Sequence, residues 1–112
     1  MKYYYNLYLD EEAKKRKDKI VQKLESNDWQ MEVYFIVLSM NEKNHLEIYN
    51  SAVLLQKWIP KEELFFVGIA TGYYEAMELV EKITQEVYDE TQETNIRKYL
   101  LEKQREYEKE NV

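Results

Sequence analysis

Apolar residues fall along this chain in two kinds of run. From Leu64 to Ala70 (LFFVGIA) and from Val33 to Leu38 (VYFIVL) they occupy consecutive positions. A strand with one wet face alternates with period two, so short unbroken runs predict strands covered on both faces. Elsewhere the pattern alternates. Tyr3, Tyr5, Leu7 and Leu9 share one face of a first strand, with Tyr4, Asn6 and Tyr8 on the other. Leu46 and Ile48 alternate with His45, Glu47 and Tyr49, which puts the third strand nearer a sheet edge.

Helical spacing fills the gaps between the strands. Ala76, Leu79, Val80, Ile83 and Val87 make one stripe, opposite Glu75, Glu78, Lys82, Gln85 and Asp89. Gly72 is the expected N-cap of this helix, with Glu75 three positions on to favour its dipole. Asp10 caps an earlier helix whose stripe is Ala13, Ile20, Val21 and Leu24; Lys17 lies within that stripe, its stem over apolar surface. Ser26-Asn27-Asp28 ends it. Asn41 to Asn44 is a polar turn that joins strands two and three into a hairpin. In Ser51–Trp58, the spacing of Ala52, Leu55 and Ile59 and a capping Ser51 predict a short helix, with a continued strand as the alternative; Pro60 stops it. Asp89 to Asn95 is a polar connector. A last helix spans about Asn95 to Tyr107 on Ile96, Tyr99, Leu100 and Tyr107, with Leu101 pointing to a second contact and the charged end from Glu102 fraying.

The resulting order is β-α-β-β-α-β-α-α, an α+β fold with a four-stranded mixed sheet and helices packed on it. The first six elements match the ferredoxin-like split βαβ plan. That plan puts strands two and four at the edges, whereas the apolar runs make them the best buried. Either the order differs, or extra helices or a second chain cover the edges. A sheet apolar on both faces needs two covers. Eleven tyrosines suit rings that are half buried with wet hydroxyls, as at interfaces. A homo-oligomer, a dimer first, is the expectation.

Composition narrows the function classes. A chain of 112 residues is one domain's length, and nothing in it resembles a membrane span or a signal peptide. With no cysteine, thiolate chemistry is excluded and a cytoplasmic setting is expected. The net charge of −6 is unevenly placed: residues 1–61 carry +1 and residues 62–112 carry −7. That balance argues against general affinity for nucleic acid. One stretch runs the other way. Lys14, Lys15, Arg16, Lys17, Lys19 and Lys23 crowd the first helix, either as a patch for an acidic partner or as a solvated face with bases toward the helix C-terminus.

Candidate chemistry is sparse. The junction after the fourth strand, with Gly68, Thr71, Gly72 and Tyr73, presents a glycine turn at a helix N-terminus, where backbone N–H groups can face an anion; Glu47 and Tyr49 would border such a pocket. No phosphate-loop or dinucleotide glycine spacing accompanies it. His45 is the one histidine, too few ligands for a metal, and a solvent-facing position near the turn is expected. Ser39 or Ser51 with His45 and Glu47 would make a nucleophile, base and orienter, yet no spacing demands it. No cofactor is implied.

Leu46-Glu47-Ile48-Tyr49-Asn50-Ser51, then Leu64 to Ala70, Glu75-Ala76-Met77-Glu78-Leu79-Val80 and Glu86-Val87-Tyr88 carry a resemblance. Over roughly residues 30 to 101 the chain resembles an uncharacterised family of small proteins from gut-type Gram-positive bacteria. The resemblance implies a bacterial cytoplasmic protein and no chemistry. The expected function is a non-enzymatic, self-associating interaction module. A ligand or enzyme site at residues 68–75 and nucleic-acid binding through the basic helix are the alternatives.

Overall fold

A computed structural model describes residues 1–39 and 45–111. The elements are β1 (Lys2–Leu9), α1 (Glu11–Glu25), β2 (Tyr34–Leu38), β3 (Leu46–Asn50), β4 (Phe65–Ala70), α2 (Tyr73–Thr91) and α3 (Ile96–Glu110), with single 3-10 turns at Val53–Leu55 and Lys61–Glu63. The polar turn expected at residues 41–44 lies outside the described residues.

The four strands form one mixed sheet in the order β1-β4-β2-β3. β4 runs parallel to β1 and antiparallel to β2, and β2 pairs antiparallel with β3. The two runs that are apolar at every position therefore sit in the middle. The ferredoxin-like plan, with strands two and four at the edges, is not the order. Burial decides this: Phe35, Ile36, Val37, Phe66 and Val67 are all fully buried and need cover on both faces, which only central strands receive.

Each face has its own core. On one, Phe35, Val37, Phe66 and Ile69 pack against Ala13, Ile20 and Leu24 of α1 and against Leu54, Ile59 and Leu64. On the other, Tyr4, Ile36, Leu38, Val67 and Ala70 meet Ala76, Leu79, Ile83 and Val87 of α2 and Ile96 and Leu100 of α3. α1 thus shares its face with the segment 51–64, and α2 and α3 share the other.

Local chemistry sets most of the boundaries. Asp10 caps α1 by accepting from Ala13 N–H at 2.8 Å. At the far end of α1, buried Lys61 donates Nζ to the carbonyl of Leu24 at 2.7 Å and to Asn27, placing a cation where the helix dipole favours one. Asn95 caps α3 by accepting from Lys98 N–H at 3.1 Å. α2 continues past Tyr88 to Thr91, and α3 is helical over Ile96–Glu110. Gln104–Glu108 and Lys103 over the Tyr99 ring are the one-turn side-chain pairs that support it.

The short helix expected at Ser51–Trp58 is reduced to the 3-10 turn Val53–Leu55. Ser51 does not cap; its Oγ accepts from Gln30 N–H at 2.9 Å, and Asn50 Oδ1 takes the Val53 N–H instead. The groups that could cap such a helix are thus engaged elsewhere. β3 and β4 are parallel, so residues 51–64 must travel back along a whole strand, about 17–20 Å.

Gly68 marks an irregularity in β4. Ile36 lies opposite Gly68 and Val37 opposite Phe66, leaving Val67 as an extra residue. A Cβ on Gly68 would stand 2.9 Å from the carbonyl oxygen of Tyr8 and 3.3 Å from Ile36 Cδ1. The glycine is there because β1 passes too close for any side chain.

Candidate functional site

The junction after β4 is closed by the chain's own carboxylates. Thr71 donates both its N–H, at 3.1 Å, and its hydroxyl, at 2.6 Å, to Asp10 Oδ2. Gly72 is the N-cap of α2 with φ +154°, a conformation that only glycine adopts without strain. Glu75 folds back over it, its carboxylate occupying the space a Cβ would need. Asp10 and Glu75 thus take the place that an anion would occupy. Gly68 is buried inside the sheet, and Tyr73 is exposed with its ring 5.7 Å from that of Tyr34.

Glu47 and Tyr49 are on β3, with β2 between them and β4; Glu47 lies in register with Val37, and Val37 with Phe66. They form their own cluster. Glu47 accepts from Ser39 Oγ and from Tyr49 OH, the latter at 2.5 Å. The Ser39 hydroxyl therefore engages a carboxylate directly. His45 is half-buried, and its Nδ1 is buried without a hydrogen-bond partner, rather than facing solvent. Among the described residues no three His, Cys, Asp or Glu side chains gather as a metal would require.

The basic residues stay on α1. Lys14, Lys15, Arg16 and Lys19 are exposed, Lys23 is half-buried, and Lys14 pairs with Glu11 at 3.2 Å. The helix holds six basic and four acidic residues, so its field is diluted.

Four of the eleven tyrosines are seen to donate to carboxylates. Tyr3 donates to Glu25 at 2.8 Å, Tyr8 to Glu86, Tyr49 to Glu47 and Tyr99 to Glu90. Burial first, then these carboxylates, push the Tyr49 phenol up to about 12 and raise Tyr3, Tyr8 and Tyr99 further; burial also raises Tyr4. The fold therefore favours the neutral phenol, while in the unfolded chain these groups titrate near 10. Their stabilisation is complete below pH 10 and drains as the pH climbs past 10 toward the folded values. The urea midpoint should hold steady up to about pH 9.5 and fall steeply above it, with tyrosinate absorbance appearing together with loss of circular dichroism. Smooth titration of all tyrosines near pH 10 with the fold intact would refute this.

A different surface gathers apolar groups, with the exposed Glu81 at its solvent-side border. Helical spacing puts Tyr73, Met77, Val80, Thr84 and Tyr88 on one flank of α2. Glu86 and Glu90, on the other flank, reach Tyr8 of β1 and Tyr99 of α3. The first flank therefore looks toward β3, where Leu46 and Ile48 are only half-buried on this side of the sheet. α2 packs on β4 and β2, so the width of the sheet outruns its helical cover. Tyr73 is 55 % exposed, Met77 45 % and Tyr88 46 %. Sequence reasoning missed this flank because the stripe that faces the core is more apolar. The signal was present in the spacing 73, 77, 80, 84, 88.

Comparison with known proteins adds no relative. A scan against protein-family models, a search of curated proteins and a search of solved structures each return no match. The shape and chemistry of the surface are therefore the grounds for its functional reading.

Proposed function

We propose that this chain is a non-enzymatic interaction module that self-associates through the α2–β3 flank. The observation that carries the reading is the charge-free stripe Tyr73–Met77–Val80–Thr84–Tyr88 beside half-covered Leu46 and Ile48. Two copies of a chain with net charge −6 repel least where they meet at a patch poor in carboxylates; no residue within this stripe is charged, and Glu81 stands at its border. A tyrosine presents about 150–250 Å² when fully bared. The half-exposed rings and Met77 together offer on the order of 300 Å², the lower end of the patch size that on monomers is often functional. A second copy related by a two-fold axis is the simplest occupant, because one patch then serves both sides. The resemblance described above makes a bacterial cytoplasm its setting in this reading.

The test is solution mass. Light scattering should give a dimer for the unaltered chain. Met77→Glu, which puts a carboxylate in the middle of the patch, should give a monomer with unchanged circular dichroism. A monomeric unaltered chain at high concentration, or a Met77→Glu variant that stays dimeric, would sink the reading.

A further inference from the structure

The outer edge of β1 holds the sheet's other unfinished pairing. β1 is an edge strand and meets β4 in register only near its two ends. Tyr3 lies opposite Phe66 and Tyr8 opposite Gly68, so five steps on β1 face two on β4. Tyr4 to Leu7 bow away from the sheet. On the bow, Tyr5 N–H donates to no strand but to Gln104 Oε1 of α3 at 2.8 Å. The Tyr5 ring stacks on Tyr107 with centroids 4.5 Å apart and planes at 14°. A glutamine carboxamide carries the same acceptor as a peptide group. α3 thus supplies the acceptor that a neighbouring strand would otherwise bring.

The hold of α3 is uneven. Its buried residues are Ile96 and Leu100, both in the first half; from Leu101 to Asn111 every side chain is half-buried or exposed. Two open grooves adjoin β1, one at the bow and one at its first residue, Lys2. One, of about 420 Å³, lies between β1 and α1 and is lined by Tyr3, Leu7, Lys17 and Val21 among others. The second, of about 350 Å³, lies between Phe65 and Leu101. Strand addition requires edge donors and room for side chains that alternate between the two faces. Both are present once α3 moves.

We infer that the second half of α3 is a reversible guard on the β1 edge, and that the edge, when uncovered, pairs with β1 of a second copy of this chain. The segment Tyr3–Leu9 contains no charge, glycine or proline and is rich in strand-forming tyrosine. An antiparallel pair of such strands sets tyrosine and leucine against their own kind with no like charges opposed. This contact is independent of the α2–β3 flank. A chain with both would grow past a dimer, because two different two-fold contacts join at least four copies, as in a D2 tetramer.

Hydrogen exchange on the unaltered chain is the first test. The Tyr5 amide should exchange at least ~100-fold faster than that of Ile69, because freeing half a helix does not require global unfolding. Equal rates would overturn the guard. The second test combines Gln104→Ala with Tyr107→Ala. In a Met77→Glu background the expected result is a monomer that becomes a dimer as concentration rises, with Tyr5 gaining protection. Adding Tyr5→Pro removes the edge N–H, a change edge strands tolerate, and should restore the monomer. In the unaltered background the same guard variant should grow beyond two chains. A folded guard variant that stays monomeric, or association that Tyr5→Pro leaves untouched, would overturn the inference. Should Met77→Glu itself fail to dissociate the dimer, the flank reading falls, while the Tyr5 exchange rate and the proline variant still decide the guard.

Discussion

Replacing Phe66 by alanine is expected to remove about 4 kcal/mol of stability, within the ~3–5 kcal/mol range for large core aromatics. The ring is fully buried in the central strand β4. It packs 5.6 Å from the ring of Tyr3 and 5.8 Å, edge-on, from that of Phe35, so it joins three strands on the α1 face. Well-packed surroundings collapse poorly around a lost ring, which adds a cavity cost to the lost burial. Against a native stability of about 5–15 kcal/mol, this is a quarter or more of the whole. Urea unfolding checks it: the midpoint should fall sharply while the slope stays the same. Phe65→Ala, which removes a half-buried ring from the same strand, is the control and should cost less than half as much. A Phe66→Ala midpoint within error of the unaltered chain would contradict the packing described here.

Gly68→Ala should cost about 2 kcal/mol, and Gly68→Val more than ~3 kcal/mol, for the opposite reason. Nothing is removed; the added Cβ meets the Tyr8 backbone oxygen at 2.9 Å, and backbone cannot swing aside as a flexible side chain can. Two strands would have to part at the one place where β1 rejoins β4 after its bow. Valine adds two further carbons in the same space and should leave the chain largely unfolded at 37 °C, roughly the temperature at which a domain with little stability remaining melts. Thermal melts of the two variants, read in order of side-chain size, make the measurement. Equal melting temperatures for glycine and alanine at this position would show that β1 can give way.

These two neighbours show how far the pattern of the chain reaches. The run Leu64–Ala70 is unbroken, so a strand covered on both faces follows from hydrophobicity alone, and the same holds for Val33–Leu38. Asp10, Gly72 and Asn95 announce the helix starts by chemistry acting over three or four residues. Gly68 inside an apolar run signals a close approach, but not that Tyr8 is what approaches. Ser51 misled, because a capping residue acts only if the chain that follows turns into a helix. Here the hydroxyl serves Gln30 instead.

The candidate surfaces divide the same way. The α2 stripe at 73, 77, 80, 84 and 88 is present in the sequence. That β3 lies beyond the cover of α2, leaving the stripe open, depends on strand order. The Gly68–Tyr73 junction looked like a place for an anion until Asp10, sixty-one residues before Thr71, proved to fill it. Tyr5 and Gln104, ninety-nine residues apart, carry no shared signal in the chain.

By itself the sequence determined which strands are buried on both faces, where helices start and which face of each turns inward. All of these depend on local periodicity and on caps, whose range is a turn or two. Tertiary structure alone decided the order β1-β4-β2-β3, the bow in β1, the closing of the glycine junction and the uncovered flank beside β3. Each comes from contacts between residues far apart in the chain. Such contacts are settled by how whole elements share a limited area of cover, and no run of neighbouring residues encodes that.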